Sequence, residues 1–378
     1  MKKYLIGRSS YQGGEEKEEP PQQSSDEQFM GRLVKKRKFE MEHDKKDLSV
    51  VNAHERDLRI KFVEKGHYYE KEGGGRFSIS VSGIKGFIFP PFSEEDTIAS
   101  KFQNPQKDKD GNLILKNGRA IVGRSAKARV DPEDYGLTRR ECIEKQRGAS
   151  ASGTLVHLKA EKYLNLQLPP GMPQERRMAH FLQKADFTEE EFNEAKQIID
   201  AESQWIREGW TIFRTEWSIF CEKFDYAGQI DVVLRRPSAG GGWEYAILDW
   251  KTTRHAMSSC FSWNKFPNAF YPFDEFPATL GNAYLFQMAL YAHTLIHEYG
   301  LNVVMVRAIG IHKRKRAGEI KTWTEIPLQE VSAVLAMYRE FKDLERLIKD
   351  WEENGHTANG LFPTLREPPF FKKLPDDP

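Results

Sequence analysis

Asp231 lies in the stretch Gly228-Gln229-Ile230-Asp231-Val232-Val233-Leu234, and Asp249 and Lys251 lie in Tyr245-Ala246-Ile247-Leu248-Asp249-Trp250-Lys251. Pro237-Ser238-Ala239-Gly240-Gly241-Gly242 stands between them, and two β-rich segments around a glycine-rich turn predict an antiparallel hairpin. The midpoint of 231 and 249 is residue 240, inside the glycine run, so a symmetric hairpin sets Asp231 opposite Asp249 to within about a residue. Period-two alternation then puts Asp249 and Lys251 on one face, with Leu248 and Trp250 on the other. Two carboxylates among Ile230, Val232, Ile247 and Leu248 repel each other unless a cation sits between them. Such a pair points to a hard divalent cation, Mg²⁺ or Mn²⁺, on oxygen ligands. Lys251 would then orient or deprotonate a water and stabilise charge developing at a phosphoryl centre. The plainer alternative is a pair of solvent-facing strand ends with Lys251 as a salt-bridge partner.

Further candidates sit at spacings that share a helix face. His157 and Glu161 are four apart in Gly153-Thr154-Leu155-Val156-His157-Leu158-Lys159-Ala160-Glu161, as a ligand pair or a surface pair. Gln287 and Tyr291 have the same spacing, and Glu216 precedes Asp231 on the strand before it.

The elements that must carry these residues are legible as periodicities. Phe77–Val81 alternates as the start of a strand, Asp108–Asn112 predicts an Asp-Gly hairpin turn, and residues 138–165 predict helices broken by Gly148 and Gly153. Asp186–Glu208 is a helix, Thr211–Phe220, Tyr226–Leu234 and Tyr245–Lys251 are strands, and Ala283–Tyr299 is a helix. Asn302–His312 and Thr322–Ile326 form a strand pair, and Leu328–Glu353 closes with an amphipathic helix. These assignments predict an α/β fold, a central mixed sheet flanked by helices.

The chain has 378 residues and a formal net charge of +1, which does not by itself announce a nucleic-acid binder. With 30% charged residues it has no apolar run of the ~20 residues a membrane helix needs. Cys142, Cys221 and Cys260 are too few for a four-cysteine metal site and odd in number, which fits a reducing, intracellular setting. Glu15–Glu27 is charged and rich in Pro, Gln and Ser, so residues 1–75 are expected to be a disordered tail, whose removal up to residue 70 would leave activity intact. Within it, Lys35-Lys36-Arg37-Lys38 reads as a nuclear-import signal or as solvated charge. Residues 76–350 form the expected catalytic domain and 351–378 a C-terminal extension.

The order of the motifs is the distinctive feature: a helical Gly-Thr-x-x-His-x-x-x-Glu, a strand Glu, a Gly-x-Ile-Asp, an Asp-x-Lys-Thr and a helical Gln-x-x-x-Tyr. This set resembles the RecB-like branch of the PD-(D/E)XK nuclease superfamily over about residues 77–345, and it is similar to mitochondrial genome maintenance exonucleases and to nucleases of CRISPR adaptation. The resemblance implies a restriction-endonuclease-like core. It assigns His157, Asp231, Asp249 and the carbonyl of Trp250 to one or two Mg²⁺ or Mn²⁺ ions and makes Lys251 the catalytic lysine. Glu161 and Glu216 match supporting acids, and Gln287 and Tyr291 match the motif that positions the lysine and the nucleic-acid backbone. The chain departs from the branch in having Ile230 where proline is usual and in lacking the iron–sulfur cysteine quartet.

Lys313, Arg314, Lys315 and Arg316, together with Arg254, are the candidate phosphate contacts, with Arg139, Arg140, Lys145 and Arg147 ahead of His157. An aromatic stretch containing Trp263, Phe266, Phe270, Tyr271 and Phe273 would stack unpaired bases or serve as lid or core. The expected activity is metal-dependent cleavage of DNA at free or single-stranded ends. No Gly-x-x-x-x-Gly-Lys-[Ser/Thr] occurs, so a helicase or a replication or repair partner would open duplex. The alternatives are an endonuclease, a binding subunit with this fold but no turnover, and a metal enzyme of another kind on an unrelated fold.

Overall fold

The computed structural model describes residues 47–89, 105–116, 119–121, 129–130, 138–183, 188–252, 269–270, 272–315 and 317–353. The acidic stretch, the basic run 35–38 and the C-terminal extension beyond 353 lie outside these residues. Residues 47–75, assigned above to a tail, are folded. They form helix α1 (Leu48–Val51), a 3-10 turn (Glu55–Arg59) and the antiparallel hairpin of β1 (Ile60–Val63) with β2 (Tyr68–Lys71). Composition misled here because a few buried side chains (Leu48, Ile60, Tyr69) and polar anchors hold the segment. Asp57 is the main anchor: it accepts from Arg214 Nη1 at 2.7 Å and from Trp217 Nε1 at 2.8 Å. Truncation to residue 70 would therefore strip part of the folded body rather than a tail. Asp57→Ala takes the carboxylate from a buried guanidinium, which keeps the Asn52 carbonyl, and leaves the Trp217 indole N–H without its acceptor. It is expected to cost about 3 kcal/mol in a denaturant titration. An unchanged midpoint would show that the segment is not integral to the fold.

The strand expected at Phe77–Val81 is only two residues long, β3 (Ile79–Ser80). Ser80 then caps helix α2 (Val81–Ile88) by accepting from Gly83 N–H. Lys107 bridges Leu113 around the Asp-Gly turn, where Gly111 has φ +84°. A small sheet follows, of β4 (Leu115–Lys116), β5 (Arg119–Ile121) and β6 (Arg129–Val130).

Residues 139–165 then form one unbroken helix, α3 (Arg139–Asn165), where two glycines predicted a break. A capping box between Thr138 and Glu141 starts it, and burial of Val156, Ala160, Tyr163 and Leu164 outweighs the ~1 kcal/mol that each glycine costs. Gly153 has a use: a Cβ there would lie 3.1 Å from Thr252 Oγ1, so its absence lets α3 pass close to the sheet. Helices α4 (Gln174–Leu182) and α5 (Glu189–Arg207, capped by Thr188) complete this side.

The main sheet comprises β7 (Thr211–Cys221), β8 (Tyr226–Pro237), β9 (Trp243–Thr252), β10 (Val303–Ile311) and β11 (Glu319–Trp323), with helix α6 (Leu280–Tyr299) before β10 and α7 (Leu328–Glu353) after β11. Its order is β11-β10-β9-β8, with β7 and β3 both on β8, and it is mixed: β9/β10 and β3/β8 are parallel, the rest antiparallel. One face carries α3, α4 and α5 over Val232, Leu234, Leu248 and Trp250. The other carries α2, α6 and α7 over Ile230, Val233 and Ile247. Among the described residues, no helix is long and apolar enough to cross a membrane.

One feature of this sheet creates a cleft. The β8/β9 ladder ends at Val232↔Leu248, and beyond it Tyr226 and Ala227 of β8 pair instead with β3, while β9 continues along β10 to Thr252. β7 occupies the opposite edge of β8 over the same residues, so β3 takes the edge that β9 vacates. The two central strands therefore splay apart from Asp231 and Asp249 onward.

Candidate active site

Three carboxylates form a row across the strands at that splay. Val232↔Leu248 is the last ladder pair, so the register centred on the glycine run holds to the residue before Asp231 and Asp249, which stand where the strands part. Thr215↔Val232 and Trp217↔Ile230 bracket Glu216 and set it opposite Asp231 on the other side. Glu216 has φ +44°, a left-handed conformation uncommon for a residue with a side chain. The facing of β8 slips at the same place: Ile230 and Val233 pack on the α6 face, Val232 and Leu234 on the α3 face. This break in alternation swings Asp231 toward α3, where His157 waits.

His157 is oriented by the backbone. Its Nε2 stands 3.1 Å from the carbonyl of Trp250, and a carbonyl can only accept, so Nε2 carries the proton. Nδ1 is thereby turned toward Asp231 Oδ2 at 3.4 Å and Glu216 Oε1 at 4.0 Å. Burial alone would lower this imidazole, but Asp231, then Glu216 and Asp249, outweigh it and hold its pKa at about 9. One nitrogen and two carboxylate oxygens of His157, Glu216 and Asp231 all lie within 4.8 Å of one another. Ligand atoms on opposite sides of a Mg²⁺-sized ion stand about 4.2 Å apart, so small side-chain shifts close this set around a cation. The donors fit: two hard oxygens and an imidazole, with the imidazolium proton as what a cation would displace.

Asp249 and Lys251 look to the other face and form an ion pair with each other. Lys251 Nζ also lies 4.7 Å above the ring of Tyr284 on α6. The two aspartates titrate in opposite directions. Burial raises Asp231, but His157, Lys251 and the Trp250 N–H, which donates to Asp231 Oδ2 at 2.7 Å, bring it below its ordinary value. Asp249 lies above its ordinary value because burial, aided by the charge of Asp231, outweighs Lys251. Carboxylates pushed apart in this way are typical of sites with a chemical task, although structural ion pairs also shift them.

The remaining candidates divide. Gln287 Nε2 donates to Tyr291 OH at 3.2 Å, so the helical pair is assembled on α6. Glu161 is 3% exposed, one turn beyond His157, and falls outside the close triplet, whereas Glu216 falls inside it. The Trp250 carbonyl, expected to face the ion, is engaged by His157. The basic run leaves β10 at the end where Ile311 pairs with Thr252, which places it beside the splay. It is partly neutralised there, since Lys313 pairs with Glu190 at 3.8 Å and Lys315 with Glu319 at 3.4 Å, and Arg314 has a partner of its own. Arg316 and Arg254 lie outside the described residues, as do Trp263, Phe266 and Tyr271. Phe273 is fully buried, stacked on Phe276 at 4.3 Å and edge-on to Phe286, so this part of the aromatic stretch is core rather than a base-stacking surface.

Sequence reasoning missed Lys85 altogether. It projects from α2 and donates to Gln287 Oε1 at 3.2 Å. The available signal was a lone charge in the otherwise apolar Ile84-Lys85-Gly86-Phe87-Ile88.

None of the curated proteins matches the chain. A family model for the PD-(D/E)XK nuclease superfamily matches residues 132–358, a span that holds His157, Glu216, Asp231, Asp249, Lys251, Gln287 and Tyr291 and more than half of the chain. With a mixed sheet between helical layers and acids and a lysine at its splayed centre, the chain belongs to the PD-(D/E)XK nuclease superfamily.

Proposed function

We propose that this protein is a metal-dependent deoxyribonuclease of the RecB-like kind, hydrolysing phosphodiester bonds from free or single-stranded ends. The observation that carries the reading is the row Glu216–Asp231–Asp249 at the strand splay, with His157 on one side and Lys251 on the other. His157, Glu216 and Asp231 would hold Mg²⁺ or Mn²⁺, with Asp249 completing the acidic row. When bound, such a cation polarises the phosphoryl oxygens and makes water more acidic. The chain's own contribution is positional. Lys251, held by Asp249 and Tyr284, presents its ammonium at the cleft to a phosphoryl oxygen or to the attacking water. A helicase or other replication or repair factor supplying open strands belongs to the same proposal.

Labelled linear single-stranded, linear duplex, nicked and covalently closed DNA, compared at matched cation and salt, test it. The expected order has linear single strands degraded fastest and closed circles spared. Rapid linearisation of closed circles would make the protein an endonuclease, and equal degradation of structured RNA would remove the restriction to DNA. Binding with no cleavage of any substrate would favour a subunit without turnover.

A further inference from the structure

A second lysine reaches the cleft from outside the segment that the family model matches. Because β3 takes the edge of β8 that β9 vacates, helix α2 is delivered to the splay. Gly228 makes the close packing possible. A Cβ there would lie 2.7 Å from Tyr291 Cε1 and 2.8 Å from Val81 Cγ2, so only glycine lets α2 and α6 meet over β8. Tyr284, Gln287 and Tyr291 form one stripe of α6 at helical spacing. That stripe holds both lysines: Tyr284 lies under Lys251, and Gln287 accepts from Lys85 while its amide donates to Tyr291.

An ammonium has three donors, and among the described residues the one hydrogen bond made by Lys85 Nζ is to Gln287. Lys85 is half-buried rather than sealed in the core. The charges acting on it are those of Lys251 and Asp249, and Asp249 is already ion-paired with Lys251. Two neighbouring ammoniums sharing one carboxylate are under-compensated. The imbalance grows when a divalent cation draws on the same acids. A phosphodiester oxygen, with its single negative charge, satisfies both lysines.

Resting on the nuclease reading above, we infer that Lys85 is a phosphate-binding residue of the cleft, gripping the nucleic-acid backbone beside the phosphate on which Lys251 acts. Burial together with Lys251 lowers the pKa of Lys85, as expected of a cation kept near another cation until an anion arrives.

The test uses the full chain with a labelled single-stranded oligonucleotide, measuring KM and kcat over a salt series, with melting temperature alongside. Lys85→Gln keeps an amide donor for Gln287 but removes the charge. KM is expected to rise about tenfold with kcat changed by less than about threefold, and the slope of log KM against log salt to shrink by about 0.7, the share of one phosphate on a single strand. Lys85→Arg is expected to recover KM and slope, with both variants melting near the wild type. Unchanged KM and slope in Lys85→Gln, or a loss explained by a lowered melting temperature in both variants, would reduce Lys85 to a tether between α2 and α6 and overturn the inference. A wild type that neither binds nor cuts DNA would overturn the nuclease reading itself, and Lys85 with it.

Discussion

Asp231→Asn is expected to reduce cleavage by roughly 10³-fold or more while leaving the protein folded. The asparagine carbonyl can still accept the Trp250 N–H that now lies 2.7 Å from Asp231 Oδ2, so the local backbone keeps its anchor. The negative charge is lost. It is the strongest influence raising His157 and one of two carboxylates in the close triplet, so cation affinity falls with activity. Some stability is lost at neutral pH, because the neighbours that hold the Asp231 carboxyl below its ordinary value favour its charged form, but relief of its repulsion of Asp249 offsets part of that loss. Asp249→Asn should lose activity on the same scale. Cation binding followed by calorimetry separates the roles: unchanged affinity in Asp231→Asn would refute its part as a ligand, and near-normal turnover would refute the site.

Lys251→Ala is expected to cut kcat by about 10²- to 10³-fold, with cation affinity and KM close to those of the wild type. The ammonium acts on charge that develops during the reaction, so its removal is felt in turnover rather than in binding. Asp249 loses its ion-pair partner in this variant. Burial and the charge of Asp231 already push its carboxyl up, and loss of the ammonium pushes it further toward the neutral form. This limits the cost of the missing partner, and the fold survives. The pattern is the opposite of the one expected for Lys85→Gln. If Lys251→Ala binds DNA poorly yet cuts normally at saturation, Lys251 is a backbone contact and not part of the chemistry.

The two aspartates and the lysine were legible in the sequence because a glycine-rich turn fixes register arithmetically and alternation fixes facing. The register that arithmetic required holds as far as Val232↔Leu248, one step short of the two aspartates. The facing of Asp231 was not legible. It depends on the positive φ of Glu216 and the lost step in β8 alternation, which no local pattern signals. Glu216 accordingly looked like a supporting acid and stands in the closest cluster. The unbroken α3 was misread because helix propensity counts Gly148 and Gly153 against a helix, whereas tertiary burial and the near approach to Thr252 decide. Residues 47–75 looked structureless for a similar reason: Asp57 and its two donors, more than 150 residues downstream, hold them, and composition is blind to partners so distant. Lys85 stayed hidden because its meaning comes from a parallel pairing of two residues, β3 on β8, that steers α2 into the gap.

The most direct test is cleavage of an end-labelled linear single-stranded DNA by the purified chain, with Mg²⁺ or Mn²⁺, with chelator, and with excess cation restored, beside Asp231→Asn under the same conditions. Cleavage that requires the cation, stops on chelation, returns on its restoration and is lost in Asp231→Asn is the predicted result. Cleavage that persists at full rate in chelator, or that Asp231→Asn performs as well as the wild type, would contradict a metal-dependent nuclease centred on the carboxylate row.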